Sequence, residues 1–202
     1  MPVSLSEKLR IPFTRIAVLI LCASIILSTS RWEHISILSD ILFLTGCVLA
    51  GVASLGRLWC SLYIAGYKNA TLVTEGPYSI TRNPLYFFSL IGAVGVGLAT
   101  ETLFIPLAII ILFSIYYPSV IKSEEDRLSD THGRAFDAYS KKTPAFFPNL
   151  FLLKEPNTYI VNPKIFRKNL MGALWFVWFI GILELVEAFH EANIIPVVLE
   201  IY

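Results

Sequence analysis

The chain has 202 residues, 55% of them apolar and 15% charged, with a formal net charge of +1 and a mean hydropathy of +0.67. That balance lies outside the range of soluble globular domains and indicates an integral membrane protein. The small net charge says little about partners by itself and does not suggest nucleic acid, and a chain of this length without an internal repeat suits one compact bundle rather than two domains.

Five segments are apolar enough to cross a bilayer, whose core takes about 20 helical residues. They fall at residues 13–29, 37–55, 85–99, 103–121 and 170–186. The first follows Lys8, Arg10 and Arg15 as a signal peptide would. No convincing small-x-small site precedes Arg31-Trp32, however, and the run is a little long for such a core, so it reads as a retained anchor. With the N-terminus inside, 15 of the 16 lysines and arginines fall on the cytoplasmic side and only Arg31 falls outside. The expected fold class is therefore all-α: a polytopic membrane helical bundle of about five transmembrane helices, with membrane lipids as its surroundings.

Several smaller features read as structural. Cys22, Cys47 and Cys60 lie in or near apolar helices without metal-ligand spacing. Gly92, Gly95 and Gly97 lie inside a span with no preceding strand, which suits close helix packing rather than a nucleotide loop. Trp175 and Trp178 read as packing or lipid-facing residues. Glu184, Glu187, His190 and Glu191 read as a solvated helix end, and no metal site is expected. Arg57 and Tyr63 are placed in the cytoplasmic layer after the second span.

The third and fourth spans are joined by a few residues around Thr100-Glu101-Thr102 and must form an antiparallel hairpin. The polar segments flanking it, TLVTEGPYSITRNPLYF at 71–87 and KSEEDRLSDTHGRAFDAYSKKTPAFFP at 122–148, therefore emerge together on the cytoplasmic side. In the first, Gly76-Pro77 marks a turn and Pro84 pushes Asn83 away from helical angles, so the third span begins at or just after Pro84. Taken alone, this is a helix-entry loop with Arg82 snorkelling to phosphate and Tyr78 and Tyr86 in the interfacial aromatic belt. The second segment reads as a cytoplasmic helix continuing from the fourth span, anchored by Leu128, Phe136 and Tyr139 and ended by Pro144. Glu124, Glu125 and Asp126 stand in a row beside a negative membrane surface. They read either as a solvated face near Lys122 and Arg127 or as the holder of a cationic ligand against the Arg82 loop.

Together the two segments resemble the isoprenylcysteine carboxyl methyltransferase and phospholipid methyltransferase superfamily. LVTEGPYSITRNPLY is similar to that superfamily's loop, usually LVTxGxYxxxRHPxYxG. EEDRLSDTHGRAFDAYSKKTP is similar to its second motif, a Glu-Glu pair followed by Leu, Phe-Gly, Tyr and a basic run before Pro. The likeness covers residues 45–150 of a single membrane domain, 1–202, and leaves 151–202 as an additional linker and helix. The resemblance implies a methyltransferase that uses S-adenosylmethionine. It carries over the backbone of Ala70, Thr71, Leu72 and Val73 as a cofactor lining, and Tyr78, Asn83, Pro84, Leu85 and Tyr86 as residues closing around the cofactor. Glu124 becomes the cofactor-binding glutamate, Tyr63 a further cofactor contact, and Arg82 and Glu125 catalytic residues.

These residue types suit the chemistry. Methyl transfer is an in-line displacement at a sulfonium, so the protein's work is positioning and exclusion of water. Carboxylates suit the cofactor's ammonium and ribose hydroxyls, an arginine or backbone amides suit its carboxylate, and aromatic faces suit its positive charge. Asn83 stands where the superfamily usually has His, Phe88 where it has Gly, Lys142 where it has Arg, and Val120 where the prenylcysteine enzymes have a substrate-contacting arginine. The expected acceptor is an amphipathic, lipid-like or prenylated molecule arriving from the bilayer; no protein partner and no nucleic acid are inferred. Two other readings stand beside this one. A membrane reductase of similar layout would bind NADPH and want an added cation for the extra phosphate, and a non-catalytic scaffold would retain the fold alone.

Overall fold

A computed structural model describes residues 16, 19–34, 36–65 and 71–202. Ala70 and the start of the first apolar run lie outside the described residues. Residues 19–27 are helical and lead into β1 (Ser28–Ser30). The helices that follow are α1 (Ser36–Ile64), α2 (Pro77–Ile80), α3 (Pro84–Leu98), α4 (Phe104–His132), α5 (Arg134–Ser140), α6 (Pro163–Ala173) and α7 (Trp175–Glu191), before β2 (Leu199–Ile201).

Among the described residues, three stretches are long and apolar enough to cross a membrane: Ile37–Ile64, Phe104–His132 and Pro163–Glu191, the last made of α6 and α7. Of the five expected spans, these are three; α3 is apolar but has 15 residues, and the first is represented by its helical residues 19–27. The protein is thus a mostly helical membrane protein. α3 is short because Asn83-Pro84 sets its start and a turn at Thr100–Thr102, with Glu101 at φ 58, ends it.

Three boundaries differ from expectation. α1 runs on past residue 55 because Leu58, Trp59 and Leu62 keep it apolar and no proline intervenes, so Arg57 and Tyr63 belong to this helix rather than to a segment after it. α4 does pass unbroken from the apolar run into the charged one, but it stops at His132. Gly133, at φ 50, turns the chain into a separate α5 instead of letting one helix reach Pro144. The fifth segment is interrupted at Leu174.

The all-α expectation also misses one small sheet. β1 and β2 pair in parallel, with Ser28 opposite Leu199 and Ser30 opposite Ile201. Strands of three residues are too short to leave a period-2 signal in the sequence. Their pairing brings Tyr202 to the start of α4, where its carbonyl accepts from the N–H groups of Leu103 at 3.1 Å and Phe104 at 2.9 Å.

α1 and α3 form the central antiparallel pair, and small residues let their backbones touch. A Cβ placed on Gly46 would lie 2.5 Å from Gly95 O, and one on Gly95 would lie 2.8 Å from Ala50 N. Backbone atoms of two packed helices cannot yield, so Gly95→Ala is expected to lose about 1–3 kcal/mol of stability. Gly51→Ala, with open space around it, should be neutral or gain a few tenths. Thermal melts of the two variants in detergent check this contrast. Around the core, Leu44, Leu55, Leu107, Ile115, Trp175 and Trp178 are exposed, as a lipid-facing belt requires.

Candidate functional site

The Gly76–Asn83 loop is built from the bottom of α2 upward. Gly76 adopts φ 58 just before Pro77 at the first helical position, and a side chain there would also run into the Tyr63 ring, so glycine is demanded by both backbone and space. The segment 143–154 is stitched along this loop. Gly76 N–H donates to Lys154 O at 2.8 Å, Lys154 N–H to Ser79 Oγ at 2.9 Å, Asn149 N–H to Ile80 O at 2.9 Å, and the buried Thr81 hydroxyl to Phe146 O at 3.0 Å. Sequence reasoning missed this strap. Of its residues, Pro144 reads only as the end of a helix.

Arg82 is the hub. Its Nε donates to Glu125 Oε1 at 2.8 Å and its Nη2 to Glu125 Oε2 at 3.0 Å, a bidentate fork, while Nη1 donates to the carbonyls of Ser140 and Thr143, both at 2.8 Å. Asn83 adds bonds from Nδ2 to Glu125 Oε1 at 3.1 Å and to Ala145 O at 2.9 Å. The Arg82 guanidinium, with the Asn83 amide beside it, therefore ties the loop to α4, α5 and the strap.

Tyr139, on α5, donates its hydroxyl to Tyr78 O at 2.6 Å. Burial pushes its phenol well above the ordinary tyrosine range, and burial does the same to Tyr78. A raised acid group keeps its proton better folded than unfolded. The stabilisation is thus whole below about pH 10 and is lost as pH rises from there through the folded-state value. Tyr139→Phe should cost about 1 kcal/mol at neutral pH. It should also show a shallower fall of melting temperature above pH 10 than the parent, which a pH series of melts would read.

Glu124 points elsewhere, since successive helical residues are about 100° apart. It pairs with Arg127 one turn on, both part-exposed, and it lies within electrostatic range of Tyr78 and Tyr86. Tyr86 meets Tyr117 edge-on at 5.3 Å, and Tyr117 stacks on Phe113 at 3.7 Å, forming an aromatic wall. Pro84 is fully buried as the first residue of α3, and the Leu85 carbonyl accepts from Ser89 at 2.6 Å. Tyr63 stacks on Tyr159 at 4.8 Å and donates to Glu155 at 3.4 Å, facing Gly76 from the other side. Thr71, Leu72 and Val73 run without regular structure toward Gly76.

At the far end of α3, roughly 22 Å away along its axis, a cavity of about 320 Å³ is lined by Glu101, Glu187, His190, Glu191 and Glu200 among others. His190 Nε2 bonds to Ile26 O at 2.9 Å, and Glu200 pairs with Arg31. Among the described residues no group of three His, Cys, Asp or Glu side chains is placed to hold a metal ion.

Fold and site together define a helical membrane protein with two polar motifs clamped against each other at one end of its helices. The chain belongs to the phospholipid methyltransferase family, whose model matches residues 32–135, from just before α1 through the first motif and into the second. It is 38% identical over 189 residues to the cobalt-zinc-cadmium resistance protein CzcN of Cupriavidus metallidurans, covering 94% of this chain and 87% of that protein. To the nickel-cobalt-cadmium resistance protein NccN of Alcaligenes xylosoxydans xylosoxydans it is 38% identical over 187 residues, covering 93% of this chain and 87% of that one. No solved structure matches.

Proposed function

We infer that the protein is an integral membrane methyltransferase that moves a methyl group from S-adenosylmethionine to a lipid-like or prenylated acceptor, with its motif end in the cytoplasm. The observation that carries this reading is the division of labour within the Glu124-Glu125 pair. Glu125 is consumed by Arg82 and Asn83, whereas among the described residues Glu124 has only the part-exposed Arg127 as a charged partner and lies within electrostatic range of Tyr78 and Tyr86.

The donor chemistry fits the cofactor: a carboxylate for an ammonium or ribose hydroxyls, with aromatic rings beside it for a positive charge. When bound, S-adenosylmethionine supplies a methyl group on a positively charged sulfur. Glu124 would hold and orient it. Arg82 and Glu125 act as positioning residues, since all the guanidinium nitrogens of Arg82 are engaged by the protein, and together with Asn83 and the strap they fix the loop backbone on which Tyr78, Pro84 and Leu85 sit. The wall of Tyr86, Tyr117 and Phe113 excludes water from the transfer. The names of the two relatives refer to resistance against metal cations, and we read the methylated product as serving cells under such a load.

Calorimetric titration of the detergent-solubilised protein with S-adenosylhomocysteine, with NADPH in parallel, tests the assignment. Saturable binding of S-adenosylhomocysteine that weakens in Glu124→Gln supports it. Binding of NADPH alone would move the protein to the reductases, and binding of neither by folded protein would make it a scaffold.

A further inference from the structure

Arg57 is a cation in an apolar place. It lies 21 residues after Ser36 on α1, roughly 31 Å along the helix, while Glu124 lies 20 residues after Phe104 on α4, roughly 30 Å along. The two are thus at a similar depth, near the edge of a hydrocarbon core about 30 Å thick. The Nη1 of Arg57 donates to Ser89 Oγ on α3, one turn beyond Leu85-Tyr86, and its guanidinium carbon stands 5.7 Å from the centroid of the Phe176 ring on α7. A Cβ on Gly56 would collide with Phe88, and one on Gly92 would meet Phe176 at 2.6 Å, so the three helices close tightly on this side chain.

What Arg57 lacks is a counter-charge. Among the described residues no carboxylate pairs with it, and its Nε–H is buried without an acceptor. The hydroxyl of Ser54, one turn earlier and 3% exposed, is likewise buried and unpartnered. A single neutral serine does not offset the desolvation of a guanidinium, and an ionised group at this depth calls for an anion. The candidate cofactor cradle is adjacent: Tyr78 and Tyr117 lie within electrostatic range of Arg57, and Tyr117 packs on Tyr86.

We propose that Arg57 binds the anionic oxygen group, phosphate or carboxylate, of an amphipathic methyl acceptor whose tail lies in the apolar layer beside α1, α3 and α7. This rests on the methyltransferase reading and assigns the residue that holds the acceptor's headgroup. The guanidinium offers the paired donors such a group requires, and held there the acceptor's headgroup sits beside Tyr117 and Tyr86.

The test is a titration of the full chain in dodecyl maltoside with dodecyl phosphate and dodecanoate, with inorganic phosphate as the tail-free arm and S-adenosylhomocysteine as an independent ligand. One-to-one binding of at least one amphiphile is expected, weakened at least tenfold in Arg57→Gln and less in Arg57→Lys, while S-adenosylhomocysteine still binds. Equal affinity in the parent and Arg57→Gln, or saturable binding of neither amphiphile by the parent, would overturn the proposal. Inorganic phosphate binding as tightly would also overturn it, by assigning a soluble anion instead. Because a half-buried charge without a counter-charge costs stability, unliganded Arg57→Met should melt no lower than the parent; a clear drop, matched by Ser89→Ala, would make Arg57 a structural strut. Failure of the parent to bind S-adenosylhomocysteine would sink the methyltransferase reading separately.

Discussion

Arg82→Ala is expected to lower the melting temperature by roughly 10 °C and to remove S-adenosylhomocysteine binding with it, and Arg82→Lys is expected to rescue neither. The substitution leaves Glu125 largely buried with Asn83 as its remaining partner, and it orphans the carbonyls of Ser140 and Thr143. Breaking such a pair from one side costs about 3–5 kcal/mol, which in a chain of this size corresponds to roughly 10 °C. A lysine ammonium is one point with three donors and cannot span both Glu125 oxygens and the two carbonyls met by the other edge of the guanidinium. The double variant Arg82→Met, Glu125→Leu should recover part of the lost stability, since the uncompensated charge is gone, yet still fail to bind, since the loop has lost its register. A single Arg82→Ala variant that melts and binds like the parent would show that the backbone bonds of the strap hold the loop unaided. Thermal melts and calorimetry on the same preparations decide between the two.

The parts of this arrangement that could be read from the sequence are those written in local chemistry. Pro84 announces the start of α3, Gly76-Pro77 the turn before it, and the short link at Thr100–Thr102 forces the hairpin that brings the two motifs together. The glycines of α3 were legible as packing residues, and Gly95 against Ala50 shows why. What stayed hidden depends on contacts distant in sequence. That Glu125 rather than Glu124 takes Arg82 is set by the rotation of α4 relative to a loop 43 residues earlier, and adjacent glutamates carry no mark of which way each faces. The strap was invisible for a related reason, because it works through backbone carbonyls, which every sequence has. Arg57 was misplaced by a boundary: a helix that continues past residue 55 turns a loop cation into one held among three helices.

The two glutamates should separate cleanly in measurement. Glu124→Gln is expected to weaken S-adenosylhomocysteine binding roughly ten- to a hundredfold, the worth of about 1.5–3 kcal/mol in a hydrogen bond to a charged group. Its melting temperature should stay within a degree or two of the parent, because the pair it gives up with Arg127 is part-exposed and one helical turn away, and such pairs contribute under about 0.5 kcal/mol. Glu125→Gln should do the reverse. The amide still accepts from Arg82 with one oxygen but turns an N–H₂ toward the second guanidinium donor, so the melt falls, while the fraction that remains folded keeps its affinity to within a few-fold. Calorimetry and melts on both variants therefore cross over: affinity without stability for one, stability without affinity for the other. Parallel behaviour, with both variants losing the same quantity, would mean that the pair acts as one cluster and that the rotation of α4 does not divide the work between a ligand-facing carboxylate and a structural one.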